Sequence, residues 1–259
     1  EKISNFIGET FQALGRPHHA LKWCQFPLRA VRTPGRVEWM IGDCWTKLAD
    51  DERALAAFHR SADLGQDMPD GQVGISHVLL LQGNFNGART ALQTLRFRSD
   101  IGESDKLVAE IEFFARDFAK AEQLYQQLAG SDRWGGGQFW GAVTYQSALA
   151  RIRQEQGRQR EAEELLEQCL ARQKAILADE PLNPEAAYRV GAIEAMMGRP
   201  EAALHNLRRA IDLGWLDYRS PTLDPRFDSL RSLPEFAQIM NTISDTVRRM
   251  RAEAQQLTN

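Results

Sequence analysis

The chain is poor in the residues that advertise chemistry. Only three of 259 residues are cysteine: Cys24, Cys44 and Cys169. An odd, low count does not make a disulfide framework, and no C-x-x-C spacing signals zinc or redox work. The three read as small buried apolar side chains, with a Cys24–Cys44 bridge left open for an oxidising compartment. The five histidines, His18, His19, His59, His77 and His205, form neither H-x-x-x-H nor H-E-x-x-H, so no metal site is expected. There is no G-x-S-x-G elbow, and Gly135-Gly136-Gly137 lacks the Gly-Lys-Ser/Thr of a phosphate loop. The acidic pairs Asp50-Asp51 and Glu163-Glu164 read as solvated turn and helix charges. No catalytic residue and no cofactor follow from this inventory.

Long hydrophobic runs are also missing. The longest are of the size of Val78-Leu79-Leu80-Leu81, far short of a bilayer span, so direct membrane insertion is not expected. Neither sign of charge dominates: 32 Lys and Arg face 35 Asp and Glu, a net charge of -3. A dedicated nucleic-acid binder carries a basic excess, so that class is disfavoured. Glu1 is not a start methionine, which suggests a processed or excised chain. What remains, 43% hydrophobic and 26% charged residues, is the balance of a globular domain.

What the chain does have is a repeat. The alanines Ala20, Ala54, Ala88, Ala121, Ala162 and Ala203 are spaced by 34, 34, 33, 41 and 41 residues. Twelve residues before each stands a small residue: Gly8, Gly42, Ser76, Ala109, Ala150 and Gly191. Each small residue follows an aliphatic: Ile7, Ile41, Ile75, Val108, Leu149 and Val190. Two linked columns kept six times describe a helix, a turn and a second helix, with the small residues where the helices cross closely. In Ala54-Leu55-x-x-Phe58 and Ala121-x-x-Leu124-Tyr125 the apolar groups fall three and four apart, on one helical face.

These columns resemble the tetratricopeptide repeat, a 34-residue helix–turn–helix with L-G, A-x3-F and closing proline elements. The aliphatic–small pairs match L-G. Ala54/Phe58 and Ala121/Tyr125 keep the A-x3-aromatic element, and Leu92, Leu166 and Leu207 replace its aromatic elsewhere. The leading tryptophan is absent, and the prolines are displaced to Pro34, Pro69 and Pro181. The resemblance implies an all-α, right-handed α-solenoid of about six repeats over residues 1–214: about 1–34, 35–68, 69–101, 102–130, 138–181 and 182–214. Pro27 is expected to end the second helix of repeat one early, and Gly130 to Gly137 to form a link. The extra residues before Ala203 should lengthen the second helix of repeat five, and Asn183-Pro184 should cap the next.

Residues 215–259 read as C-terminal capping helices, since a solenoid must cover its last apolar face. Asp224-Pro225 looks like a cap with a first-turn proline, and Ser232-Leu233-Pro234-Glu235 like a capping box. A long helix follows, with Phe236, Ile239, Met240, Ile243, Val247 and Met250 on one face. The stretch from Leu213 to Phe236 also resembles tails that close such arrays in bacterial membrane-anchored regulatory proteins. That resemblance implies a bacterial chain on the extracytoplasmic, periplasmic side, with the cytoplasm as the alternative.

In tetratricopeptide arrays the first helices line a concave surface. The resemblance therefore assigns a peptide-binding groove to Trp39, Asp43, Lys47, His77, Leu80, Glu110, Phe113, Arg151 and Tyr188. A register shift of one residue swaps groove and core, so Leu80 and Phe113 stand equally as packing residues. The carboxylate clamp of chaperone-tail adaptors is absent: its places hold Asn5, Glu9, Met40, Asp70 and Gly74. The expected function is a non-catalytic protein–protein interaction scaffold taking a protein or peptide segment. Two alternatives stay open: a sensor or regulatory segment of a larger signalling chain, and a catalytic helical toroid. Oligomeric state does not follow from the residues.

Overall fold

The computed structural model describes residues 11, 15–25, 34–64, 71–93, 103–129 and 143–258. Among them there is no strand: the fold is all-α, built from tetratricopeptide-like helix pairs. After α1 (Pro17–Gln25) come the pairs α2 (Pro34–Lys47) with α3 (Asp51–Leu64) and α4 (Gly71–Leu81) with α5 (Phe85–Gln93). Then follow α6 (Glu103–Phe114) with α7 (Phe118–Ala129), α8 (Tyr145–Glu155) with α9 (Gln159–Asp179), and α10 (Pro184–Met196) with α11 (Pro200–Asp212). The tail holds a single-turn helix α12 (Ser220–Leu223), a 3-10 segment (Pro225–Leu230) and a long helix α13 (Pro234–Thr258). Pro27, the glycine-rich link and the Ile7–Gly8 pair of repeat one lie outside the described residues.

Contacts group the chain into two units, residues 1–99 with 242–259, and residues 100–241. In the first unit α3 packs on both α2 and α4. In the second, α7 meets α8 and α9 meets α10, so each pair leans on the next. That is the quasi-one-dimensional packing of a repeat protein.

The two sequence columns meet as the physics of close helix crossing requires. A Cβ on Gly42 would sit 2.7 Å from the Phe58 ring, and one on Gly191 would sit 3.2 Å from the Ala203 carbonyl oxygen. Ser76 uses its hydroxyl to donate 2.9 Å to the Ala88 carbonyl. The six alanines of the second column are fully buried. A third column emerges at the turns. Five residues before each alanine, Gly15, Ala49, Gly83, Arg116, Gly157 and Gly198 all take φ between 53° and 73°. Glycine enters this left-handed region freely, whereas Ala49 and Arg116 bear the strain of a Cβ there.

Several local expectations meet the structure directly. Asn183 accepts from the Ala186 amide at 2.9 Å, with Pro184 opening α10. Helix α9 runs 21 residues, absorbing the extra length of its repeat. The three cysteines are free and buried, and burial pushes the Cys169 thiol up to about 11. Asp224-Pro225 is a cap with a first-turn proline: it opens a six-residue 3-10 segment, with Asp224 accepting from the Arg226 amide at 2.9 Å.

Candidate functional site

The second unit presents the first helices of three consecutive repeats, α6, α8 and α10. Residues 215–231 lie against this face. The 3-10 segment packs on α10 and α8. Trp215 stacks on the Tyr188 ring at 4.3 Å, and Phe227 lies 5.3 Å from the same ring. From α8, Arg151 Nε donates to the Pro225 carbonyl at 2.9 Å, and Ser147 Oγ accepts from Arg226 Nη1 at 3.1 Å. From the turn after α6, Arg116 forks onto the Asp228 carboxylate at 2.7 and 2.8 Å. Arg151 and Arg231 reach the same carboxylate at 3.2 and 2.7 Å. On α10, the Ala195 carbonyl accepts from Ser229 Oγ at 3.1 Å.

At the centre is a fully buried ion pair, Arg226 with Asp224, whose side chains are both 0% exposed. Burial opposes the charge on Arg226. The carboxylate of Asp224, through charge and hydrogen bonds, outweighs that penalty and holds the guanidinium firmly protonated. Such a pair tolerates burial because each charge has its partner and further hydrogen bonds. Burial likewise opposes ionisation of Asp228, but the hydrogen bond from Arg116 and the neighbouring guanidinium charges keep its pKa below the usual value. Glu110 on α6 is the opposite case. It is buried, and desolvation, with Asp224 nearby and against the opposing charge of Lys106, pushes its pKa up to about 8. The phenols of Tyr125 and Tyr188 are raised well above their ordinary value, again chiefly by burial.

The structure places the nine expected groove residues unevenly. In the first unit Trp39 is 8% exposed and its ring lies 6.3 Å from Phe58, so it packs into the helix pair. Asp43 is buried and ion-paired to Lys47 at 2.9 Å, one turn away on α2. His77 and Leu80 are buried in α4. In the second unit Phe113 is enclosed by Phe114, Phe118 and Tyr125. Glu110 and Tyr188 are buried as well, the latter under Trp215 and Phe227. Seven of the nine are buried positions, Tyr188 being covered by the tail. Lys47 and Arg151 are the two that keep partial exposure.

Sequence reasoning placed Ser147 on the inward side of its repeat and Asp224 as a cap, but missed Arg116, Arg226 and Asp228 as residues that hold the tail. The contacts of these three with distant partners join positions 77 to 112 residues apart, beyond the reach of any local pattern. It also missed Gly71 and Gly74, whose added Cβ atoms would meet the Phe58 carbonyl at 1.8 Å and the Phe58 ring at 2.3 Å. A signal was available there, since the two glycines sit on one face of α4, three residues apart.

Residues 141–214 match the tetratricopeptide repeat family model. Helices α8 to α11 lie within the matched stretch. Among solved structures, one similar chain is described as YrrB, a TPR protein with an unusual peptide-binding site. It is 16% identical, with 72% of this chain and 89% of that chain covered and a TM-score of 0.38. No curated protein matches the chain in sequence. Among the described residues no group of His, Cys, Asp and Glu is placed to hold a metal, and no helix is long and apolar enough to cross a membrane.

Proposed function

We propose that the chain is a non-catalytic protein–protein interaction scaffold and that the first-helix face of α6, α8 and α10 is its recognition surface in the second unit. The observation that carries this reading is the way the face holds residues 215–231. It grips a stretch of short helical turns through aromatic stacking, a buried ion pair and arginine forks. Aromatic and arginine side chains are the types that dominate binding energy at protein interfaces. Arg116, Ser147, Arg151 and Tyr188 are the residues of the face that meet the segment, with hydrogen bonds, charge and an apolar platform in one strip. Titrating the full chain against a displayed library of short peptides tests the reading. Enrichment of sequences with arginine, aromatic and acidic residues, weakened by Arg116→Ala or Arg151→Ala without loss of helical signal, is the expected result. No enrichment above background, in a chain with native circular dichroism, would remove the scaffold reading.

A further inference from the structure

We propose that residues 217–231 occupy in cis the surface on which the second unit takes a partner segment, and that the partner carries the same chemistry: a turn with an arginine and an aromatic side chain between two acidic ones. This inference rests on the first-helix face being the recognition surface.

Three observations carry it. The first is position. A terminal cap has to cover only the last helix pair, whereas this segment touches α10, α8 and the turn after α6, three repeats in succession. It lies along the stack and not over its end. The second is the kind of contact. The segment's own elements are short, a four-residue helix and a six-residue 3-10 turn. Side-chain groups anchor it: Arg226 to Ser147, and Asp228 to Arg116 and Arg151. These are the groups a separate peptide with the same Asp-Pro-Arg-Phe-Asp order would present. The third is that the fit is incomplete. The hydroxyls of Tyr125 and Tyr188 are buried with no hydrogen-bond partner among the described residues. Unmet buried donors are costly. A partner segment in the same frame that also offers them an acceptor gains contacts the cis segment lacks, and so displaces it.

The test uses the full chain. A labelled peptide reproducing residues 218–234 is titrated by fluorescence anisotropy into the wild-type chain and into a double variant, Asp224→Ala with Arg226→Ala. Removing both charges together frees the segment while leaving neither charge buried alone. The expected result is a Kd at least tenfold tighter for the double variant. The same peptide with its aspartate equivalent to Asp228 replaced by alanine should bind at least fivefold more weakly. Equal affinity for both chains, or no binding to a double variant with native helical content, overturns the proposal. If the double variant loses its helical signal, hydrogen exchange on the wild-type chain decides. Amides of 225–231 should exchange at least tenfold faster than those of α10, and equal protection marks the segment as a fixed part of the fold. Library peptides that bind wild-type and variant chains equally sink this inference while the scaffold reading stands.

Discussion

Replacing Glu110 by glutamine should stabilise the second unit, and the gain should depend on pH. Glu110 is buried, and its pKa rises from the usual 4.5 to about 8, first through desolvation and then through Asp224. Folding therefore keeps a proton that the unfolded chain releases. For an acid with a raised folded pKa, the favourable contribution is full below about 4.5 and is lost as pH rises through about 8. One pKa unit corresponds to about 1.4 kcal/mol, so holding the proton costs the folded state roughly 3 kcal/mol at pH 7. Glutamine has nearly the same shape and no proton to hold. Urea unfolding of both chains at pH 4.5, 6, 7 and 8 should show nearly equal stability at pH 4.5. The variant should lead by about 3 kcal/mol at pH 7 and by more at pH 8. A difference that stays constant with pH, or a variant less stable at pH 7, would refute the assignment of Glu110 as a buried neutral acid.

Three further outcomes are expected. Gly42→Leu should destabilise by about 1–3 kcal/mol through overpacking and cost more than Gly191→Leu, because its Cβ meets the Phe58 ring at 2.7 Å against 3.2 Å to the nearest atom at Gly191; thermal melts of the two variants check the order. Ala49→Gly should raise stability by about 0.5–1 kcal/mol, since relief of the left-handed φ of 53° exceeds the entropy that glycine adds to the unfolded chain; an unchanged or lower denaturation midpoint contradicts this. Asp224→Ala should cost about 3–5 kcal/mol by stranding Arg226 in the interior, and adding Arg226→Ala should restore part of the loss. A double-mutant cycle with purely additive losses would show that the pair is not coupled.

The repeat was legible in the sequence because its signals are local and strongly constrained. Close helix crossing admits only small side chains, so Gly42, Ser76 and Gly191 recur twelve residues before Ala54, Ala88 and Ala203. Capping chemistry is also local: Asn183-Pro184 specifies the start of α10 within a few residues. Burial of the first helices was not legible. Trp39, His77 and Tyr188 sit at positions where the repeat pattern permits either a binding surface or a packed one. Tyr188 is covered by Trp215 and Phe227, from beyond the end of its own repeat. Nor could the order of residues tell that Asp224-Pro225-Arg226-Phe227-Asp228 would reach three repeats. The Arg226–Asp224 pair is two residues apart in sequence, yet its burial depends on Ser147 and Tyr188, supplied by distant helices. Helix, turn and crossing were determined by neighbours along the chain; the occupied face was decided by tertiary structure, because desolvation and ion pairing depend on which surfaces meet.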